Sequence, residues 1–147
     1  YLEISRKRVK KTLKKNIKIH WCLSDVEMSE FEGRYCTVYK RLPEVNPDFI
    51  YLDGPDQFKI KGKINNFNLN HEDFMPMVSD LLKIEFFLKP GTILVVDGRS
   101  ANVQFLRSFF KRKWLYYYVK EIDKHVLYLD SKSLGLANDK LLNFYER

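Results

Sequence analysis

Long apolar runs are absent from this sequence, and no segment has the roughly 18 apolar residues that a membrane-spanning helix needs. No apolar segment of the kind found in signal peptides follows the basic N-terminal stretch, so we expect a cytoplasmic protein. Cysteine is scarce too. Cys22 and Cys36 lack CxxC or Cys/His spacing, which gives no basis for a metal site and favours buried free thiols over a disulfide.

Acidic residues are nearly absent from the first 18 positions, where Glu3 stands against eight Lys and Arg residues. The remaining chain has 18 basic and 18 acidic residues, so the whole net charge of +7 comes from this segment. Val9, Leu13 and Ile17 recur every four residues, which predicts a basic helix over residues 5–18. Its wide basic face is either a solvated surface or a contact for nucleic acid or an anionic membrane surface.

Apolar residues make up 45% of the 147 residues, enough for a single domain with a substantial core. Strands are predicted at "IHWCLSD", "CTVYKRL", "FIYL" and "TILVV", and a hairpin over Trp114–Asp130. Helices are predicted from Asn70 or Asp73 to about Phe86 and from Ser100 onward, with residues 56–70 as a loop. The alternation predicts an α/β fold, doubly wound, with a mostly parallel sheet, helices on both faces and a C-terminal antiparallel hairpin.

Three of the predicted strands end on an acidic residue, namely Asp25, Asp53 and Asp97. In an open α/β sheet, ligands bind beyond the carboxyl ends of the strands. If the strands are parallel, the three carboxylates line one edge. Asp-Gly is also a common turn former, so each aspartate alone is as well explained by a turn.

The segments "PDFIYLDGPD" and "FFLKPGTILVVDGR", followed by a helix and a hairpin, resemble the C-terminal part of class I S-adenosylmethionine-dependent methyltransferases. The most specific segment is "LKPGTILVVD", Leu88–Asp97, which resembles the entry into that family's fifth strand. Upstream, "YLEIS" resembles the end of the second strand and "IHWCLSD" the third. The glycine-rich loop after the first strand has no counterpart here. The resemblance therefore implies one Rossmann-like domain over residues 1–147 that lacks its first strand and has little activity by itself.

This resemblance implies roles for several residues in holding S-adenosylmethionine. Glu3 would bind the ribose hydroxyls, Asp25 the adenine amino group, and Val26 the edge and face of the adenine ring. Asp53 and Gly54 would lie beside the sulfonium and the incoming nucleophile, with Asp53 also as the catalytic base. Substrate contacts would come from Asp97, Arg99 and Asn102.

We therefore expect an enzyme that transfers a methyl group to a small hydroxylated molecule such as a sugar, with a homo-oligomer as one possible assembly. Asp53-Gly54-Pro55-Asp56 is only a loose relative of the motif in amino-methylating enzymes. Asp97-Gly98-Arg99 lacks the Asp-Asn of the metal-dependent enzymes of the catechol type. Two alternatives remain open at this point: a non-catalytic module that binds nucleic acid or an anionic surface through residues 5–18, and a phosphotransferase with Asp53 as the nucleophile.

Overall fold

The computed structural model describes Ile4, Val9, residues 17–137 and residues 139–140. Glu3 and most of the predicted basic helix 5–18 lie outside the described residues. Within the described part there are seven strands: β1 Val26–Phe31, β2 Arg34–Tyr39, β3 Phe49–Leu52, β4 Ile60–Lys61, β5 Ile93–Asp97, β6 Trp114–Val119 and β7 Lys124–Leu129. The same part has two α-helices, α1 Asp80–Ile84 and α2 Ser100–Phe109, and two 3-10 turns, Glu85–Phe87 and Lys120–Ile122.

The first sheet has three strands in the order β2-β1-β4. β1 and β2 form an antiparallel hairpin whose turn residues, Glu32 and Gly33, have positive φ angles of 46° and 78°. Such angles fit the tight turns that match the twist of paired strands. β4 is short and pairs in parallel with the start of β1, where Val26 lies opposite Ile60.

The second sheet has four strands in the order β3-β5-β7-β6. β3 and β5 are parallel, with Leu52 opposite Val96. β7 runs antiparallel to both of its neighbours and places His125 opposite Val96 and Lys124 opposite Asp97. The ends of β3 and β5 and the start of β7 therefore meet at one edge of this sheet.

The main core lies between the second sheet and α2, and it extends to the first sheet. Leu94, Val96 and Leu127 of the second sheet belong to the same buried cluster as Val103 and Leu106 of α2. Cys36 of β2 and Phe31 of β1 also pack in this cluster. A smaller core consists of Val26, Ile60 and Leu69. The two sheets thus share buried contacts.

The predicted doubly wound α/β fold is wrong. Instead of one mostly parallel sheet with helices on both faces, the described residues form two mixed sheets and two short helices. The main cause is the stretch from Val26 to Tyr39, which pairs with itself as a hairpin. A hairpin needs only a short turn, whereas a parallel pair needs a crossover connection of a dozen or more residues, usually with a helix. The expected C-terminal hairpin, β6 and β7, and the parallel pair β3 and β5 are present.

Two predicted elements also differ. Residues 17–25 contain no strand, so Asp25 precedes a strand and does not end one. The helix expected from Asn70 or Asp73 begins only at Asp80. The Met77 carbonyl accepts from the Thr37 amide at 2.7 Å, and the Ser79 amide donates to the Thr37 carbonyl at 3.0 Å. These two groups therefore bond to β2 and not to neighbours within a helix.

No helix in the described part of the chain has the length and apolar character needed to cross a membrane.

Candidate functional site

Asp53 and Asp97 lie at the same edge of the second sheet, as the sequence predicts for the ends of parallel strands. Asp97 is the last residue of β5, and Asp53 directly follows β3. The register fixes their proximity, because Leu52 pairs with Val96 immediately before them. We call this edge the strand-end site, defined by Tyr51, Asp53, Gly54, Asp97, Arg99 and Lys124.

Asp97 is held by two neighbours within the strand-end site. The hydroxyl of Tyr51 donates to one carboxylate oxygen, and the ammonium of Lys124 donates to the other. The Lys124 hydrogen bond, and then that of Tyr51, holds the pKa of Asp97 below its usual value. Asp97 in turn raises the pKa of Lys124 and of Tyr51. Both carboxylate oxygens of Asp97 therefore already accept hydrogen bonds, one from Tyr51 and one from Lys124.

Asp53 is more open than Asp97. Its side chain is 74% exposed, against 33% for Asp97. Arg99 Nε lies 4.0 Å from its carboxylate, an ion pair too long to be a hydrogen bond. The Arg99 side chain is only 20% exposed and donates to Met75 Sδ at 3.3 Å. The Asp53 carboxylate therefore remains accessible to a ligand, with a cation beside it.

Gly54 permits the approach of Arg99. It has a φ of +81°, and a β-carbon there would lie 2.8 Å from Arg99 Cδ and Nε. Only glycine combines this backbone conformation with that contact. The backbone conformation and the contact with Arg99 together explain why position 54 is a glycine.

An apolar groove of about 700 Å³ runs along β3 beside the strand-end site. We call it the β3 groove. Tyr51 belongs to both, because it lines the groove while its hydroxyl bonds to Asp97. A volume of this size fits a small organic ligand. Its apolar lining includes Leu42, Val45, Phe49, Tyr51, Leu81 and Phe87.

A serine and a histidine meet next to the strand-end site. Ser100 Oγ, at the start of α2, is 3.0 Å from His125 Nε2, and the Tyr116 hydroxyl is 2.9 Å from His125 Nδ1. From the sequence, Ser100 is expected only to begin a helix, and His125 only to lie within the C-terminal hairpin. The pair could not be found locally, because its members are 25 positions apart and meet only through the β5–β7 register.

The other predicted site residues lie elsewhere. Asp25 precedes β1 of the first sheet and pairs with Lys61 at 2.8 Å, which lowers the pKa of Asp25. Val26 is buried in the smaller core. Asn102 is fully buried and accepts the Val78 amide proton at 2.8 Å, while its own Nδ2 has no partner. Glu3 lies outside the described residues.

Of the predicted site residues, the structure thus brings together Asp53, Gly54, Asp97 and Arg99. Across the described residues, no group of three or more His, Cys, Asp or Glu side chains is arranged to hold a metal ion.

Comparison with protein-family models, curated proteins and solved structures finds no match for this chain.

Proposed function

We propose that the chain transfers a methyl group from S-adenosylmethionine to a hydroxyl of a small molecule at the strand-end site. The observation that carries this proposal is the exposed Asp53 carboxylate two residues beyond Tyr51, which lines the apolar β3 groove. A ligand with an apolar ring and a positively charged centre fits here, because the ring matches the β3 groove and the charge matches the Asp53 carboxylate. The proposal rests on these residues and not on a doubly wound fold.

Asp53 suits the base better than Asp97 does. A base must reach the proton that it removes, and its accepting oxygen must be free. Both oxygens of Asp97 already accept hydrogen bonds from neighbouring side chains. Within the described part of the chain, the ion pair of Asp53 is the long contact with Arg99 at 4.0 Å.

The groups present also fit the proposed cofactor. When bound, S-adenosylmethionine supplies an electrophilic methyl group on a positively charged sulfur. The exposed Asp53 carboxylate favours a cation beside it, and the rings of Phe49 and Tyr51 offer an apolar wall for the adenine. We assign the adenine to the β3 groove and not to Val26, because the Val26 side chain is packed in the smaller core.

In this proposal, Asp53 accepts the proton of the substrate hydroxyl as the new bond to oxygen forms. Arg99 lies beside Asp53 and orients the substrate through its guanidinium donors. Positioning supplies much of the rate of such an in-line displacement. Asp97 keeps Tyr51 and Lys124 in place.

Calorimetric titration with S-adenosylmethionine tests the proposal. We expect binding, weakened in Asp53→Ala because the carboxylate beside the sulfonium is lost, and retained in the matched variant Asp130→Ala. Asp130, like Asp53, is paired with a basic residue, here Lys113, but it follows β7 at the opposite edge of the second sheet. Absence of binding at about 1 mM ligand, where a complex of about −4 kcal/mol would be half formed, would overturn the proposal. Polynucleotide affinity that falls steeply with salt would instead favour the basic-segment alternative.

A further inference from the structure

The contact between Ser100 and His125 has the geometry of an activated nucleophile. The Ser100 side chain is exposed at the first turn of α2, and its Oγ lies 3.0 Å from His125 Nε2. His125 is only 3% exposed, and the Tyr116 hydroxyl at 2.9 Å fixes its second nitrogen. A nucleophile, a base and a group that orients the base are thus arranged in a chain.

The surroundings favour a neutral imidazole that can accept a proton. Burial lowers the pKa of His125, so the ring is neutral at pH 7. If Nδ1 carries the proton and donates to Tyr116, Nε2 is left to accept from Ser100. Asp123 opposes the pKa decrease, and its negative charge favours the imidazolium formed when the proton moves. The Tyr118 ring stacks on the imidazole at 4.6 Å and limits its rotation.

The backbone around Ser100 also suits such a role. Asp97, Gly98, Arg99 and Ser100 form a sharp connection from β5 into α2, with Gly98 at a φ of +56°. The first amides of a helix have no intrahelical acceptor, so the Ala101 N–H is available next to the nucleophile. An amide at that position is what an oxyanion requires during acyl transfer.

We propose that Ser100 is a nucleophile for acyl transfer, activated by His125, and that its substrates are carboxylic esters. Ser100 Oγ forms a bond to the acyl carbon while its proton goes to His125 Nε2. The bond between the acyl carbon and the leaving oxygen breaks, and the alcohol leaves with that proton. Water then adds to the acyl carbon and gives a proton to His125. The bond between the acyl carbon and Ser100 Oγ breaks, the acid leaves, and Ser100 regains its proton from His125. This activity does not depend on the proposed methyl transfer.

Diisopropyl fluorophosphate tests the nucleophile directly, because a covalent Oγ–P bond forms as fluoride leaves. Ser108 is an internal control: it is exposed on the same helix, but its Oγ donates to the Gln104 carbonyl at 2.7 Å. Mass spectrometry should show modification of Ser100 about 100-fold faster than of Ser108. Ser100→Ala should abolish the fast labelling, and Ser108→Ala should leave it unchanged.

His125→Gln should slow the labelling of Ser100 by at least about tenfold. That variant removes a buried ring, so Tyr116→Phe provides a milder test: it removes only the hydroxyl at Nδ1 and should also slow labelling. The wild-type protein should in addition release one equivalent of p-nitrophenol in a burst from p-nitrophenyl acetate. Labelling of Ser100 no faster than Ser108 in the folded wild-type protein would overturn the proposal. Equal rates in the wild type and Tyr116→Phe would also overturn it.

Discussion

Arg99 lies across Gly54 so closely that position 54 has no room for a side chain. A β-carbon there would be 2.8 Å from Arg99 Cδ and Nε, and the backbone φ is +81°. The contact joins the end of β3 to the start of α2, and it fixes where the Arg99 guanidinium lies beside Asp53.

A comparison of Gly54→Ala with Gly62→Ala distinguishes the effect of the Arg99 contact from the effect of the backbone conformation. Gly62 has nearly the same φ, +80°, but nothing within 4 Å of its would-be β-carbon. Both variants should lose about 1–2 kcal/mol of unfolding free energy in urea titrations, from the left-handed conformation. Only Gly54→Ala should shift the Arg99 Nε resonance in nitrogen-15 spectra, because only that substitution displaces the guanidinium. An unchanged Arg99 resonance in Gly54→Ala would contradict the described contact.

Lys124→Met should raise the pKa of Asp97 toward its ordinary value, because the Lys124 hydrogen bond is the largest cause of its depression. The carboxyl carbon-13 shift of Asp97, followed from pH 2 to pH 7, measures this change. Lys113→Met is the matched control, since Lys113 pairs with Asp130 at the opposite sheet edge. It should leave the titration of Asp97 unchanged.

The ion pair between Asp97 and Lys124 should make the protein less stable as the pH falls. The pKa of Asp97 is lower in the folded than in the unfolded chain, so its contribution is present above the unfolded pKa. It is lost as pH falls through the folded pKa. Urea titrations should therefore show a smaller acid-induced loss of stability for Lys124→Met than for the wild type. An equal loss in both proteins would contradict the role assigned to Lys124.

Glu85→Ala should destabilise the protein by about 3 kcal/mol or more, because it leaves one buried and two part-buried donors without their acceptor. The Glu85 carboxylate is 1% exposed and accepts from the Lys111 and Arg112 amides at 3.0 and 2.9 Å. It also accepts from Trp114 Nε1 at 3.0 Å. Glu121 is exposed and serves as the control: Glu121→Ala should change the unfolding free energy by less than about 0.5 kcal/mol. Similar losses for both variants in urea would refute this assignment.

The two thiols should differ sharply in reactivity. Cys22 is exposed, whereas Cys36 is fully buried and burial raises its pKa. Maleimide should modify Cys22 in the folded protein at the rate of a solvent-exposed cysteine, and it should modify Cys36 only after unfolding in urea. Peptide mapping identifies the modified residue. Rapid modification of Cys36 in the folded state would show that the main core is more open than described.

The elements that the sequence predicts well are those with a strong local pattern. "FIYL" and "TILVV" are short apolar runs bounded by turn residues, and both form strands where expected. Ser100–Phe109 has helical spacing and forms a helix. The two strand-end aspartates follow from these elements. That part of the candidate site could therefore be predicted.

Of the first sheet, the sequence predicts only β2, whose residues overlap the expected strand "CTVYKRL". β1 is mostly half-buried and carries glutamates at positions 27 and 30, so its pattern resembles a polar loop. In contrast, Leu23 is apolar but 77% exposed and belongs to no strand. The contacts of Lys124 with Asp97 and of His125 with Ser100 depend on the placement of β7 beside β5, which no local spacing reveals.

The short segment Met77–Ser79 has a consequence for how the molecule opens. Its backbone bonds to Thr37 in the first sheet, and its Val78 amide bonds to Asn102 on the helix that covers the second sheet. Separation of either sheet must break hydrogen bonds held by these three residues. The amide protons of Val78 and Ser79, which are bonded to α2 and to the first sheet respectively, should therefore exchange with solvent at similar rates, because the two sheets open as one cooperative unit.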